Sequence, residues 1–162
     1  MYQPNFNTNL QEVKNCTLCI DELPHGVRPV LQIHPKAKIL IAGQAPGRVV
    51  HNTGIPFDDK SGDRLRQWMG VSKEEFYNPE NIAILPMSFC YPGTGKSGDL
   101  PPCKKCAPQW RIPLLKLMPN IKLTLAIGLY AQKWHLKKDM KKNLTETVRS
   151  WEEYQPGIIP LP

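Results

Sequence analysis

Lys38 to Phe57 constrains the fold more than any other stretch of this chain. Apolar Ile39-Leu40-Ile41-Ala42 runs into Gly43-Gln44-Ala45-Pro46-Gly47 and, after a short polar loop, into Gly54-Ile55-Pro56-Phe57. A four-residue apolar run closed by Gly and Pro reads as a buried strand. Two glycines and a proline at its carboxyl end make a tight turn whose backbone N–H groups can approach a ligand closely. Open α/β sheets place their binding crevices at this position, so the chemistry is expected there.

The rest of the chain supports an α/β alternation. Residues 1–35 show no sustained period and carry a Cys-x-x-Cys followed by Pro24, Gly26 and Pro29, which reads as a short helix or turn and an extended approach to the sheet. Gly62 to Met69 is expected to be helical, with Leu65, Trp68 and Met69 on one face and Ser61 as cap. Ser72-Lys73-Glu74-Glu75 has the form of a capping box. Asn81 to Pro86, Leu123 to Ile127 and Ile158 to Pro162 read as strands; Pro108 to Leu117, Leu129 to Leu136 and Leu144 to Trp151 read as helices. Strands separated by helix-length connections imply a three-layer α/β/α domain, residues 1–162, around a mostly parallel four-stranded sheet.

The residue balance of 41% hydrophobic and 22% charged suits one soluble domain with a real core. No apolar run approaches the ~18 residues of a membrane span, and the amino terminus lacks the layout of a signal peptide. A cytoplasmic monomer is expected. The net charge of +7 favours a polyanionic partner. From Lys96 to Arg149 twelve Lys or Arg face only Asp99, Asp139 and Glu146, so Lys96, Lys133, Lys137 and Lys138 are the expected contacts to a nucleic-acid backbone. A solvated helix face without a partner is the other reading of such a run.

Cys16, Cys19, Cys90, Cys103 and Cys106 form two Cys-x-x-Cys pairs and one more. An odd number without an export signal argues against a disulfide framework and for a metal centre. Cys16, Cys19, Cys103 and Cys106 would make a tetrahedral zinc site, whereas Cys16, Cys19, Cys90 and Cys106 would suit a four-iron cluster. Pro92-Gly93-Thr94-Gly95-Lys96-Ser97 imitates a phosphate-binding loop, but the pattern needs glycine where Cys90 stands and a helix where Gly98-Asp99-Leu100-Pro101-Pro102 follows.

These features together resemble the uracil-DNA glycosylase superfamily, and within it the iron–sulfur branch of bacteria and archaea. The resemblance rests on Gly43-Gln44-Ala45-Pro46-Gly47 in place of Gly-Glu-Ala-Pro-Gly, on Gly54-Ile55-Pro56-Phe57 matching Gly-x-Pro-Phe, and on the cysteines. Cys16, Cys19, Cys90 in Cys90-Tyr91-Pro92-Gly93, and Cys106 match the branch's ligand pattern. The resemblance implies a 4Fe-4S cluster on those four, with zinc as the alternative occupant. It also implies a DNA partner containing deaminated bases. Phe57 would stack on a flipped base, the backbone of Gly43 to Gly47 would bond its edge, and Gln44 would position water or contact the base. Phe57 as a core aromatic and Gln44 acting only through its backbone are the alternatives. His51, Asn52, Asp58 and Asp59 flank the motif, as pocket groups or as loop and cap residues.

Three positions depart from the family pattern. Ala45 replaces the aspartate that activates water in other branches, and Pro86 replaces an asparagine that reads the pyrimidine edge. The family's His-Pro-Ser motif is expected after Ile158-Ile159-Pro160-Leu161-Pro162, where this sequence stops. A DNA glycosylase is therefore the expected activity. A catalytically silent DNA-binding member and a metal-binding α/β protein acting on a small molecule are the alternatives.

Overall fold

The structure is a computed structural model that describes residues 5–162. Helix α1 (Phe6–Lys14) is capped by Asn5, whose side chain accepts from the Asn7 amide. It is followed by β1 (Ile39–Ala42), α2 (Arg48–Thr53), α3 (Lys60–Met69), α4 (Lys73–Phe76) and β2 (Ile82–Ile84). A small hairpin, β3 (Thr94–Gly95) and β4 (Gly98–Asp99), precedes α5 (Cys106–Lys116). β5 (Leu123–Ile127), α6 (Gly128–Leu136), α7 (Leu144–Arg149) and β6 (Ile158–Leu161) complete the order.

The four long strands pair in the order β2-β1-β5-β6, and every pairing is parallel. Leu40 stands between Ala83 and Thr124, and Ile41 between Ile84 and Leu125. Strands buried on both faces should be apolar throughout rather than alternating. They are, Thr124 apart, and the two faces divide the helices. Leu40, Ala83 and Leu85 pack with Val13 of α1 and Leu114 of α5, while Ala42 and Ala126 meet Ala131 of α6. Ile41, Ile82, Ile84 and Leu125 pack on the opposite face with Leu65 of α3 and Phe76 of α4.

The expected α/β/α architecture is the observed one, with two local corrections. Asp59, not Ser61, caps α3, because its Oδ1 reaches the Gly62 amide at 2.9 Å. The polar segment after Gly47 is not a loop but the short helix α2, which ends at Gly54 in the left-handed conformation. The Gly95-Lys96-Ser97 stretch turns a hairpin, as a phosphate-binding loop would not. The Ser72 capping box is present as the sequence implied.

Candidate functional site

Parallel strands deliver their carboxyl ends to one edge, and that edge opens into a cavity of about 340 Å³. All four strands contribute to it. Gly43 to Gly47 follow β1, Pro86 lies just past β2, Ile127 ends β5 with Gly128 after it, and Pro162 follows β6. Gly43, Gln44, Ala45, Pro46, Gly47 and Phe57, the residues singled out in the sequence, all line this cavity. The β1–α2 loop is pinned to the β2 exit, where the Met87 amide donates to Gly43 O at 2.8 Å and the Ser88 amide to Gln44 O at 3.1 Å. Gln44 Nε2 donates to Leu100 O at 3.1 Å, which leaves its side-chain oxygen to accept from another group.

Phe57 takes a conformation that side chains other than glycine rarely adopt, with φ at 56°. Such a backbone costs about 1–3 kcal/mol and persists only where its surroundings hold it. Three contacts do so here. Arg66 Nη1 donates to Phe57 O at 3.1 Å, Tyr77 Oη donates to Pro56 O at 2.8 Å, and the same arginine donates to Tyr77 Oη at 3.2 Å. Gly62 allows the approach, since a Cβ there would lie 1.8 Å from Phe57 O. The tip of the Phe57 ring lies over Gly43, 3.4 Å from where a Cβ would stand, an ordinary van der Waals separation. Phe57 also packs edge-on against Phe76 at 6.1 Å, so it belongs to the core and to the cavity wall at once.

Spacing alone did not single out Arg64 or Trp68 as site residues, yet both line the cavity, one helical turn apart on α3. Trp68, expected on the buried face of α3, is 55% exposed. The usable signal was their i, i+4 spacing beside a glycine-rich loop. Asp59 lines the cavity while capping α3, so both of its readings have a place in the geometry. His51 meets the Tyr91 ring at 5.7 Å, away from the cavity lining.

All five cysteines line a second, small cavity of about 20 Å³ between the amino-terminal segment and the Cys90–Cys106 loop. Cys19 and Cys103 are joined as a disulfide with Cα atoms 6.7 Å apart, which corrects the expectation of none. The reason is the convergence itself. Segments 84 residues apart in sequence fold over one spot and bring these two sulfurs together. Among the described residues no group of three or more His, Cys, Asp or Glu is arranged to hold a metal ion. The other sulfurs have N–H groups directed at them. Trp110 Nε1 donates to Cys16 Sγ at 3.2 Å, and the Arg28 and Phe89 amides donate to Cys90 and Cys106. Hydrogen bonds of this kind surround the sulfurs of thiolate-held metal centres. Burial otherwise raises the Cys90 thiol and pushes Cys106 up to about 12.

Arg111 is fully buried on α5. Its Nη1 donates to Leu85 O at 2.8 Å and Pro86 O at 3.0 Å, and Nη2 lies 2.7 Å from His135 Nε2. Burial, then Arg111 and then Lys137 hold His135 down at about 3, so the ring is neutral near pH 7 and accepts from the guanidinium. The lysines expected on a nucleic acid are dispersed. Lys133 lines a cleft with Met87, Tyr130 and Trp134, whereas Lys137 and Lys138 follow the carboxyl end of α6, at the other end of the sheet from the cavity. Lys96 sits at the exposed tip of the hairpin.

A cavity at the carboxyl edge of a parallel sheet, walled by a glycine-rich loop and a strained Phe, thus stands where the sequence motifs placed it. The model of the Uracil DNA glycosylase superfamily matches residues 31–162, most of the sequence, and the chain belongs to that superfamily.

Proposed function

We propose that the chain is a DNA glycosylase of base-excision repair, hydrolysing the N-glycosidic bond of uracil or another deaminated base flipped into the cavity from DNA. The observation that carries this reading is Phe57, held in a strained conformation with its ring against Gly43. A cavity of about 340 Å³ lined by a rigid aromatic and backbone amides fits one planar base. Phe57 stacks on the base while the Gly43–Gly47 backbone bonds its edge. The Gln44 side-chain oxygen accepts from the water that attacks C1′. As the C1′–N bond breaks, its electrons leave with the base, and N–H donors of the loop stabilise that anion. Pro86, which offers no side-chain hydrogen bond, leaves discrimination among pyrimidine and purine edges to the backbone.

The cysteine centre belongs to the same proposal, and with it membership of the iron–sulfur branch. Cys16, Cys19, Cys90 and Cys106 would hold a 4Fe-4S cluster, or zinc, in the form of the protein in which Cys19 and Cys103 are free thiols. Such a group supplies cross-linking of the amino-terminal segment to the Cys90–Cys106 loop. Glycoside hydrolysis needs no electron from it.

The test is base release from uracil-, hypoxanthine- and xanthine-containing oligonucleotides, with metal content and visible spectrum recorded on the same sample. Release is expected, falling at least tenfold in Phe57→Ala. Folded protein that releases none of the three bases would overturn the enzymatic reading in favour of a silent DNA-binding member.

A further inference from the structure

Trp68 presents an anomaly. A large apolar indole, which burial would favour, is left 55% exposed at the mouth of the base cavity, one turn from Arg64. Across the carboxyl edge of the sheet lies a cleft of about 540 Å³ whose lining includes Pro101, Pro102, Lys104, Tyr130, Lys133 and Trp134. No carboxylate lines it. The cleft neighbours the base cavity: Pro86 and Gly128 line the one, while Met87 and Tyr130, next and next but one along the chain, line the other. α3 and α6 pack on opposite faces of the sheet, so the two aromatic and basic surfaces flank the cavity mouth on either side.

We propose that these two surfaces form one track for an unpaired DNA strand, whose bases next to the flipped nucleotide stack on Trp68 on one side and on Tyr130 and Trp134 on the other. The proposal rests on the reading that the cavity takes a base from DNA. It adds which form of DNA. One exposed ring, Trp68, and two half-buried ones, Tyr130 and Trp134, beside cations match the way single strands are held: base faces on aromatics, phosphates on Lys and Arg; the carboxylate that lines the base cavity, Asp59, is engaged as the cap of α3. A duplex keeps its base faces stacked and offers these rings nothing but its backbone. Arg64, Lys104 and Lys133 supply the phosphate contacts.

The experiment uses the full chain and labelled oligothymidylate of about 15 nucleotides, alone and annealed to its complement, with binding followed by anisotropy across a salt series. The single strand is expected to bind at least tenfold more tightly than the duplex. Trp68→Ala, an exposed site, should weaken single-strand binding about fivefold or more and leave duplex binding unchanged, since each base–aromatic stack contributes roughly 1–3 kcal/mol. Trp134 also packs against the cluster that includes Ala42 and Ala126, so the α6 side is tested by Lys104→Gln and Lys133→Gln. Each should lower the salt slope on single strands by about 0.7. Equal affinity for both forms, or a Trp68→Ala variant that binds single strands as the wild type does, would overturn the track. Oligothymidylate carries no deaminated base, so this result is independent of base release. Release without strand preference removes only the track, and strand binding without release removes only the glycosylase.

Discussion

Two arginines lie inside this protein, and they are balanced in different ways. Arg66, 5% exposed, has Asp63 at 2.8 Å, carbonyl and hydroxyl acceptors at Phe57 and Tyr77, and its guanidinium carbon 5.0 Å from the Phe76 ring centre. Arg111, fully buried, has two carbonyls and a neutral imidazole, its Nε has no partner, and none of the ion pairs among the described residues includes it. Burial lowers Arg111 to about 10, and Cys106 is the group whose charge opposes that shift. A buried cation with no anion costs several kcal/mol. Four thiolates on a dication would carry net negative charge beside Arg111, so the proposed cysteine centre would balance it as Asp63 and the aromatic faces balance Arg66. The first arginine holds the Phe57 loop, and the second ties the β2 exit to α6 next to the cysteines.

The largest break in this comparison is expected at Gly62. An added Cβ meets Phe57 O at 1.8 Å, and backbone cannot yield as a flexible side chain can. Gly62→Ala should therefore cost about 3 kcal/mol and separate Phe57 O from Arg66 Nη1, measurable by denaturant unfolding and by loss of base release. Wild-type stability in this variant would show that the Phe57 loop is not locked.

The Arg111 side is sharpened by pH. His135 sits at about 3 when folded, against 6.5 when free, facing Arg111 and Lys137. The unfolded chain therefore takes up a proton in this window that the folded protein refuses. Stability contributed by the neutral ring is complete above pH 6.5 and declines as the pH falls toward 3. At roughly 1.4 kcal/mol per pH unit, about 2 kcal/mol should be lost by pH 4.5. His135→Asn keeps an oxygen for Arg111 Nη2 and takes up no proton, so its stability measured between pH 6.5 and 4.5 should lose most of this slope. An unchanged slope would place the acid sensitivity elsewhere.

The motifs at strand ends were legible because their physics is local. Gly43 to Gly47 follow an apolar run, so both the strand and the turn can be read from a dozen residues, and the cavity forms there. The convergence of five cysteines was legible as two spaced pairs, but the Cys19–Cys103 bond was not, since it depends on how two segments 84 residues apart meet. α2 escaped because Val49-Val50-His51-Asn52 has no helical period long enough to detect, and tertiary contacts fix it. Arg66, Gly62 and Arg111 were invisible as partners. Each acts through backbone carbonyls, and a carbonyl leaves no trace in the identity of the residue that carries it.

The smallest effect is expected at Asp63, and it decides what balances Arg66. The carboxylate is 67% exposed, so water screens it, and exposed pairs contribute about 0–1 kcal/mol. Asp63→Asn keeps an oxygen within reach of Arg66 Nη2 while removing the charge. If thermal unfolding shifts by less than about 1 kcal/mol and base release is unchanged, then Phe57 O, Tyr77 Oη and the two aromatic faces hold Arg66 by themselves. Arg111, which has carbonyls and no ring beneath it, would then be the arginine that depends on an anion. A loss above about 2 kcal/mol would instead make formal charge decisive at both sites, and an uncompensated Arg111 would be the weaker point of the fold whenever the cysteine centre is empty.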